Sequence, residues 1–406
     1  MKFNRRIFYI SILVFSLFSL LGLFVYLHNF DSGNINVIGV SDNEILIGSS
    51  SALGGHASFL GRQLMRGSMA YINEVNENGG IYGRRIKIIS YDDEYDPEKT
   101  VENTKRLIGR DQVFALFDYV GTPTSVRIID IVNRAKVPLI GLFTGAEILR
   151  NPVQPYIFNV RDSYYNEVEG AISYFVDDLG FDKVAVFYQN DAFGLTVLNG
   201  TKLALERRGL EVVGLASYER GSLKFKNAVK DIVDSGAEVV IMVGTYAPLA
   251  KFIKDSNNEN FYPYFYSVSF VGSEAFSDQL IFVQRVNIEQ YDKIILTQVV
   301  PSPFSDFEIV KDYRNLMKKY YPWSDVNYVG LEGFVNAEIL VEALKRVGEN
   351  LTRERLVLSL ESMKDFNIGI GKNISYSEND HQGLDGIYYS RLNEDGFEVF
   401  SRGEEL

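Results

Sequence analysis

The stretch NENGGIYGRRIKIISYDDEYDPEKTVENTKRLI, residues 76–108, places four carboxylates within the five residues from Asp92 to Asp96. Such a cluster reads either as a metal site or as the point where a strand hands over to a helix. A calcium loop of the EF-hand kind needs Gly at its sixth position and Glu at its twelfth. Counting from Asp92, Pro97 and Asn103 stand there, and the metal reading fails. In the other reading, RRIKIISYD (84–92) is a strand and Asp96-Pro97 opens a helix that runs to Ile108. Asp caps a helix because its carboxylate accepts from the first free N–H groups, and Pro suits the first helical position because it lacks an N–H. The neighbouring carboxylates favour the positive end of the helix.

The same alternation extends in both directions. EILIGSS (44–50) reads as a buried strand, with a helix over about 61–78 behind it. Downstream come the strand VFALFD (113–118), a helix from Thr124 to Ala135 and the strand VPLIGLF (137–143). The pattern then begins again. Val168, Ala171, Ile172, Phe175, Val176 and Leu179 keep helical spacing, followed by the strand KVAVFYQ (183–189) and a helix through about 194–208. Further strands are LEVVGLASY (210–218), AEVVIMVG (237–244), YPYFYSV (262–268) and DKIILTQVV (292–300). Three helices (about 305–320, 329–347 and 352–363) and two short extended runs near 386–400 complete the chain. Strands separated by helices indicate parallel sheets covered on both faces. The expected fold is therefore α/β, in two similar units at 42–160 and 161–300, with a cleft between the lobes.

Composition narrows the function. The chain of 406 residues is 46% apolar and 23% charged and has no cysteine. Disulfides, thiolate nucleophiles, cysteine-ligated zinc, iron–sulfur clusters and a lipid-bearing cysteine are all excluded. Lys2, Arg5 and Arg6 precede IFYISILVFSLFSLLGLFVYL (7–27), 21 residues without a charge. That length spans a bilayer, and the positive flank puts the N-terminus in the cytoplasm and the bulk outside. The expectation is one N-terminal hydrophobic helix over 1–30, either an uncleaved anchor that tethers the chain to the membrane or a cleaved signal peptide; the run ends in VYLHNF (25–30) with no small-residue cleavage pattern, which favours the anchor. Beyond residue 30 stand 38 basic against 53 acidic side chains, a balance that repels nucleic acid.

Only His28, His56 and His381 are histidines, too few and too scattered for a zinc site or a Ser-His-Asp arrangement. GSSSALGG (48–55) lacks the Gly-Lys-Ser/Thr ending of a phosphate loop and the spacing of a nucleophile elbow. The expectation is no catalytic residue, no cofactor and no metal. Polar and aromatic residues instead gather just after strand ends, where open α/β sheets bind ligands. These are SSSALGGHASFLG (49–61), DYVGTPTS (118–125) and FTGAE (143–147), then QNDAFG (189–194), GTYAP (244–248) and SVSFVGSEAF (267–276).

The order and spacing of ILIGSSSALGG, RGSMAYINEVNENGGIYGRRIKIISYDDEYDP, VFALFDYVGTPTS, VPLIGLFTGAEILR, KVAVFYQNDAFG, EGFVNAEILVEALKRVG and DHQGLDGIYYSRL resemble the leucine/isoleucine/valine type of type I periplasmic binding proteins, which serve ABC transporters. The resemblance covers roughly 43–400. It implies two Rossmann-like lobes joined by three crossing strands, the first comprising 42–160 with 301–365 and the second 161–300 with 366–406. It also implies ligand contacts at Gly121, Thr122, Phe143 and Thr144 on the first lobe and at Phe193 and Tyr246 on the second. Leu60 stands where the family has an aromatic, and Ser269 where it has the acid that meets a ligand ammonium, although a shifted loop brings Glu274 within reach.

The function so implied is capture of a small polar molecule, an amino acid, amide or related organic acid, by lobe closure, and its presentation to an ABC transporter permease. A membrane-tethered ligand sensor for a signalling receptor is the alternative. An extracytoplasmic enzyme has no nucleophile–base pair or metal set to support it.

Overall fold

A computed structural model describes residues 37–402. The expected N-terminal anchor at 1–30 lies outside the described residues, and no helix among them is long and apolar enough to cross a membrane.

Two sheets organise the chain. The first holds β1 (Glu44–Ser51), β2 (Arg85–Asp92), β3 (Ala115–Phe117), β4 (Leu139–Ile140) and β5 (Ile157–Phe158) in the order β2-β1-β3-β4-β5. All its pairs are parallel. Its helices are α1 (Ser58–Glu77), α2 (Pro97–Gly109) and α3 (Ile129–Ala135). The second sheet is built on β6 (Val184–Gln189), β7 (Val212–Tyr218), β8 (Val239–Val243), β9 (Tyr264–Ser267) and β10 (Ile294–Gln298), again in parallel. It carries α4 (Tyr164–Ile172), α5 (Ala192–Glu206), α6 (Lys226–Asp234), α7 (Tyr246–Asn258) and α8 (Ser273–Asp278). Then come α9 (Glu308–Tyr320), α10 (Tyr328–Val347), α11 (Arg353–Glu361) and a small pair, β11 (Phe366–Asn367) with β12 (Asn373–Ile374). Last, β13 (Tyr388–Asn393) and β14 (Gly396–Phe400) join the second sheet beside β10 as antiparallel strands.

The acidic stretch is resolved as strand, turn and helix. Asp96 caps α2, its carboxylate accepting from Glu98 N at 2.8 Å and Lys99 N at 3.2 Å. Asp92 accepts from Leu53 N and Gly54 N at 2.9 Å each, which ties the loop after β1 to the end of β2. Asp93 is buried and accepts from Ser50 Oγ, Tyr95 N and Thr100 Oγ1. Glu94 reaches only the exposed Lys99.

One expected element differs. The helix anticipated from Thr124 to Ala135 is broken into a turn at Thr122–Ser125, a 3-10 turn at Val126–Ile128 and then α3. Gly121, at φ +96°, starts the turn early, and Thr124 Oγ1 bonds back to Val120 O and Gly121 O in competition with the helix ladder. Helices α6 and α7 fill connections that the strand pattern alone leaves open.

Helix α10 returns to the first sheet and packs on α1 through glycines. Gly67 faces the Gly330 carbonyl and Gly333 faces Leu64 O so closely that a Cβ at either would collide. The buried Asp118, at the end of β3, bonds Ser68 of α1 and Asn336 Nδ2 of α10, the latter at 2.8 Å. The chain passes between the sheets three times: after β5, after β10, and between β12 and β13. The first and third passages lie side by side, with Asn159 N donating to His381 O and Gly383 N to Asn159 O, both at 2.8 Å. Buried Arg150 pins them, donating to Arg161 O at 2.8 Å and to Gln382 Oε1 at 2.9 Å.

Replacing Asp96 by Ala removes a cap and is expected to lower unfolding free energy by about 1 kcal/mol. Glu94→Ala, which removes only a surface pair, is expected to cost less than about 0.5 kcal/mol. Urea denaturation of the two variants side by side checks this, and equal effects would contradict the assignment.

Candidate functional site

The strand ends of the two sheets face each other, and the loops after them meet. From the first sheet, Tyr95 and Phe143 enter the gap; from the second, Phe193 and Phe270. Phe270 lies at the centre, its ring centroid 5.9 Å from Tyr95, 5.4 Å from Phe143 and 4.7 Å from Phe193. A cavity of about 10 Å³, room for roughly one water, is lined by Phe143, Ser269, Ser273, Gln298, Tyr328 and Glu332 among others.

The residues singled out from sequence are placed as follows. Thr122 and Thr144 are buried and their hydroxyls bond each other at 2.7 Å. Gly121 N donates to Phe143 O at 3.1 Å, and Phe143 N to Tyr119 O at 2.8 Å, so both amides are engaged within the sheet. Phe143 presents its face to the Arg161 guanidinium, 4.7 Å from the ring centroid. Phe193 packs on Tyr164 at 5.2 Å as well as on Phe270. Leu60 and Tyr246 stand further out. Leu60 meets Gly272 of the opposite loop, and Tyr246 lies edge-on to Phe59 at 6.3 Å, so this pair closes the rim of the gap.

Ser269 belongs to a charge cluster that sequence reasoning missed. Arg161, on the first crossing passage, has a fully buried side chain. It pairs with Glu167 of α4 at 3.7 Å and with Glu332 of α10 at 3.5 Å, and it donates to Ser269 Oγ. Glu167 is satisfied by Ser269 N at 2.8 Å, Ser269 Oγ at 3.0 Å and Thr297 Oγ1 at 2.7 Å. Arg161 Nε and Nη1, by contrast, have no hydrogen-bond partner among the described residues, and neither has Glu332 Oε1. The available signal was a lone charge at Glu332 in the apolar stretch YVGLEGFV; Arg161, next to Asp162 in IFNVRDSYY, gave none. Glu274 does not enter this cluster; its carboxylate accepts from Tyr328 N at 2.9 Å, at the start of α10.

A second polar seam crosses the gap. Asp191 caps α5, accepts from Gln189 Nε2 at 2.7 Å and pairs with Arg220 Nε at 3.0 Å. Arg220 Nη1 then donates to the Tyr95 carbonyl of the first sheet at 3.1 Å. Among the described residues no group of three or more acidic or histidine side chains could hold a metal ion.

Comparison with known proteins agrees with this arrangement. A family model described as periplasmic binding protein matches residues 44–397. The Leu/Ile/Val-binding protein homolog 7 of Brucella abortus is 22% identical over 352 residues, 83% of this chain and 86% of its own. A crystal structure titled a possible leucine/isoleucine/valine-binding protein, from Rhodopirellula baltica, superposes with a TM-score of 0.84 at 31% identity, covering 90% of this chain and 98% of that one. A fatty acid ABC transporter substrate-binding protein from Thermomonospora curvata shares the fold, with a TM-score of 0.81 at 21% identity over 90% of this chain and 93% of its own. The chain belongs to the periplasmic binding protein family, whose members are substrate-binding proteins that work outside the cytoplasm.

Burial raises several carboxyls: Glu274 and Glu332 to about 7 and Asp93 to about 6 near the strand ends, and Glu338 to about 7 further along α10. In the unfolded chain such groups titrate near about 4. Between about pH 4.5 and 7 the folded state therefore holds more protons than the unfolded one, so stability falls as pH rises through that window. The unfolding midpoint is expected to be higher at pH 5 than at pH 7.5. The double variant Glu274→Gln, Glu332→Gln is expected to flatten the dependence, and thermal melts across the range read the slope directly.

Proposed function

We propose that the chain captures a small polar molecule, an amino acid, amide or related organic acid, by closing its two lobes, and presents it to an ABC transporter permease. In this reading 42–160 with 301–365 form one lobe, 161–300 with 366–406 form the other, and residues 7–27 tether both to the membrane. Leu60, Gly121, Thr122, Phe143 and Thr144 wall the site from the first lobe, and Phe193, Tyr246 and Ser269 from the second.

The observation that carries the proposal is the set of buried polar atoms left unpaired or only loosely paired where the strand ends face each other. Arg161 Nη1 and Thr245 Oγ1 have no partner among the described residues, Arg161 Nε and Glu332 Oε1 have only each other at 3.5 Å, and Tyr95 OH, Tyr164 OH and Tyr218 OH have only loose contacts with Gln189, Thr144 and Thr245. Native structures pair nearly all such atoms, and a bound molecule with its waters supplies partners here. The relatives named for leucine, isoleucine and valine favour an amino-acid-sized ligand, and the relative named for fatty acid shows how far one scaffold's cargo varies. A tethered sensor that reports its ligand state to a signalling receptor is the second reading, favoured by the charge-free run at 7–27 in a chain without cysteine. Neighbouring genes for a permease and an ATPase would favour transport, and a neighbouring kinase or cyclase would favour sensing.

A ligand that binds only the folded protein stabilises it by mass action, by about 2.7 kcal/mol at one hundred times its Kd. Thermal melts against a panel of amino acids, amides, ureas and aromatic acids are expected to show at least one dose-dependent rise. No rise across the whole panel would contradict solute capture.

A further inference from the structure

One histidine stands where the two edges touch at the rim. His56 lies in the 3-10 turn Gly55–Ala57, just after β1, and its ring meets Gly221 of the loop after β7, where an added Cβ would come within 3.2 Å of Nδ1. Tyr95 lies edge-on to the imidazole, with ring centroids 5.6 Å apart, and the Arg220 guanidinium lies over the same Tyr95 ring at 5.6 Å. Arg220 in turn pairs with Asp191 of the second sheet and donates to the Tyr95 carbonyl of the first. His56 Nε2 is buried in this contact and has no hydrogen-bond partner among the described residues.

A neutral imidazole fits this place, because one of its ring nitrogens carries no proton. A protonated ring does not fit. Both nitrogens then carry protons, and the Nε2–H group is buried without an acceptor while the ring's charge faces a guanidinium. The carboxylates on the surrounding elements are all engaged. Asp92 serves the Leu53 and Gly54 amides, Glu94 pairs with Lys99, Asp191 pairs with Arg220, and Glu219 accepts from Asn190. Arg62 of α1, turned to the Leu53 carbonyl, adds a second positive group nearby. Burial first, and the Arg220 charge second, hold His56 below its ordinary value of 6.5.

We propose that His56 and Arg220 form a proton-sensitive latch across the rim: neutral His56 lets the two edges shut, and protonated His56 holds them apart. The proposal rests on the lobe-closure reading above and adds a condition under which closure fails. With the lobes apart, His56 meets water and titrates near about 6.5. Closing then expels a proton wherever the open form carries one on His56. Closure is therefore at full strength above about pH 7 and weakens as pH falls through about 6.5. A carboxyl that closing buries, such as Glu274 or Glu332, acts in the opposite sense, since burial raises it and closing gives it a proton. Only a comparison that changes His56 alone separates the two.

The test traps closure in the full chain without any solute. Ser58→Cys and Tyr246→Cys, whose native side chains meet across the rim, are the only two cysteines in such a chain. A short bis-methanethiosulfonate reagent links them only when the gap is shut. Initial linking rates are measured at pH 7.5 and 5.5, each divided by the rate of the same chain carrying His56→Gln, which cancels thiol chemistry and carboxyl titration. The ratio is expected to fall by up to roughly tenfold between the two pH values. His56→Lys, a fixed charge at the same place, is expected to link at pH 7.5 as slowly, relative to His56→Gln, as wild type does at pH 5.5. If His56→Lys does not fold, the ratio of wild type to His56→Gln decides alone. A level ratio in chains that still link, or His56→Lys linking as fast as wild type at pH 7.5, overturns the latch and leaves solute capture standing. No linking at either pH in any of these chains removes lobe closure itself.

Discussion

A guanidinium removed from water at the joint between two sheets constrains everything near it. Arg161 has no solvent exposure on its side chain, and a buried charge is tolerated only when it is paired. Its partners come from two directions, Glu167 on α4 beside the second sheet and Glu332 on α10 packed against the first. The cluster therefore closes only when the strand ends face each other. Taking away one partner of such a group costs about 3–5 kcal/mol, far more than a surface pair is worth. Burial above all pushes Glu332 up to about 7, with the Glu167 charge adding to it and the Arg161 charge pulling the other way.

The rest of the gap follows from strand direction. Every pair in the first sheet is parallel, so its loops emerge on one edge, and the parallel strands of the second sheet behave alike. Polar residues at those ends can meet something between the sheets, and the apolar strand interiors cannot. Where the two edges approach, Arg220 bonds the Tyr95 carbonyl and Glu274 bonds the first turn of α10, so closure is held by polar links at the rim as well as by the aromatic centre. Under the proposed function, recognition and closure draw on the same side chains, which is what a protein that signals occupancy by its shape requires.

The fold was largely legible because its cues are local. Asp96-Pro97 announces a helix start from the chemistry of two adjacent residues, and AEVVIMVG (237–244), which contains β8, announces a buried strand by composition alone. The break before α3 escaped because it depends on Gly121 adopting a positive φ and on Thr124 turning back to its own carbonyls, which periodicity does not encode. The site was legible only as a set of loops. Thr122, Phe143, Phe193 and Ser269 do converge on the gap, but Arg161, Glu167 and Glu332 are brought together across separations in sequence that no local pattern reports. The opposite reading of Ser269, as the place where an acid is missing, changes once the side chain is seen bonded to Glu167.

The central claim is that two halves hinge shut over a guest molecule, and interlobe distance measures it most directly. The chain has no native cysteine, so Glu94→Cys and Lys224→Cys, exposed on opposite sides of the gap, can carry a pair of spin labels without interference. Pulsed dipolar spectroscopy is expected to show a longer-distance population without ligand, which a saturating ligand converts to one short distance. A distance distribution left unchanged by a ligand that raises the melting temperature would contradict the account.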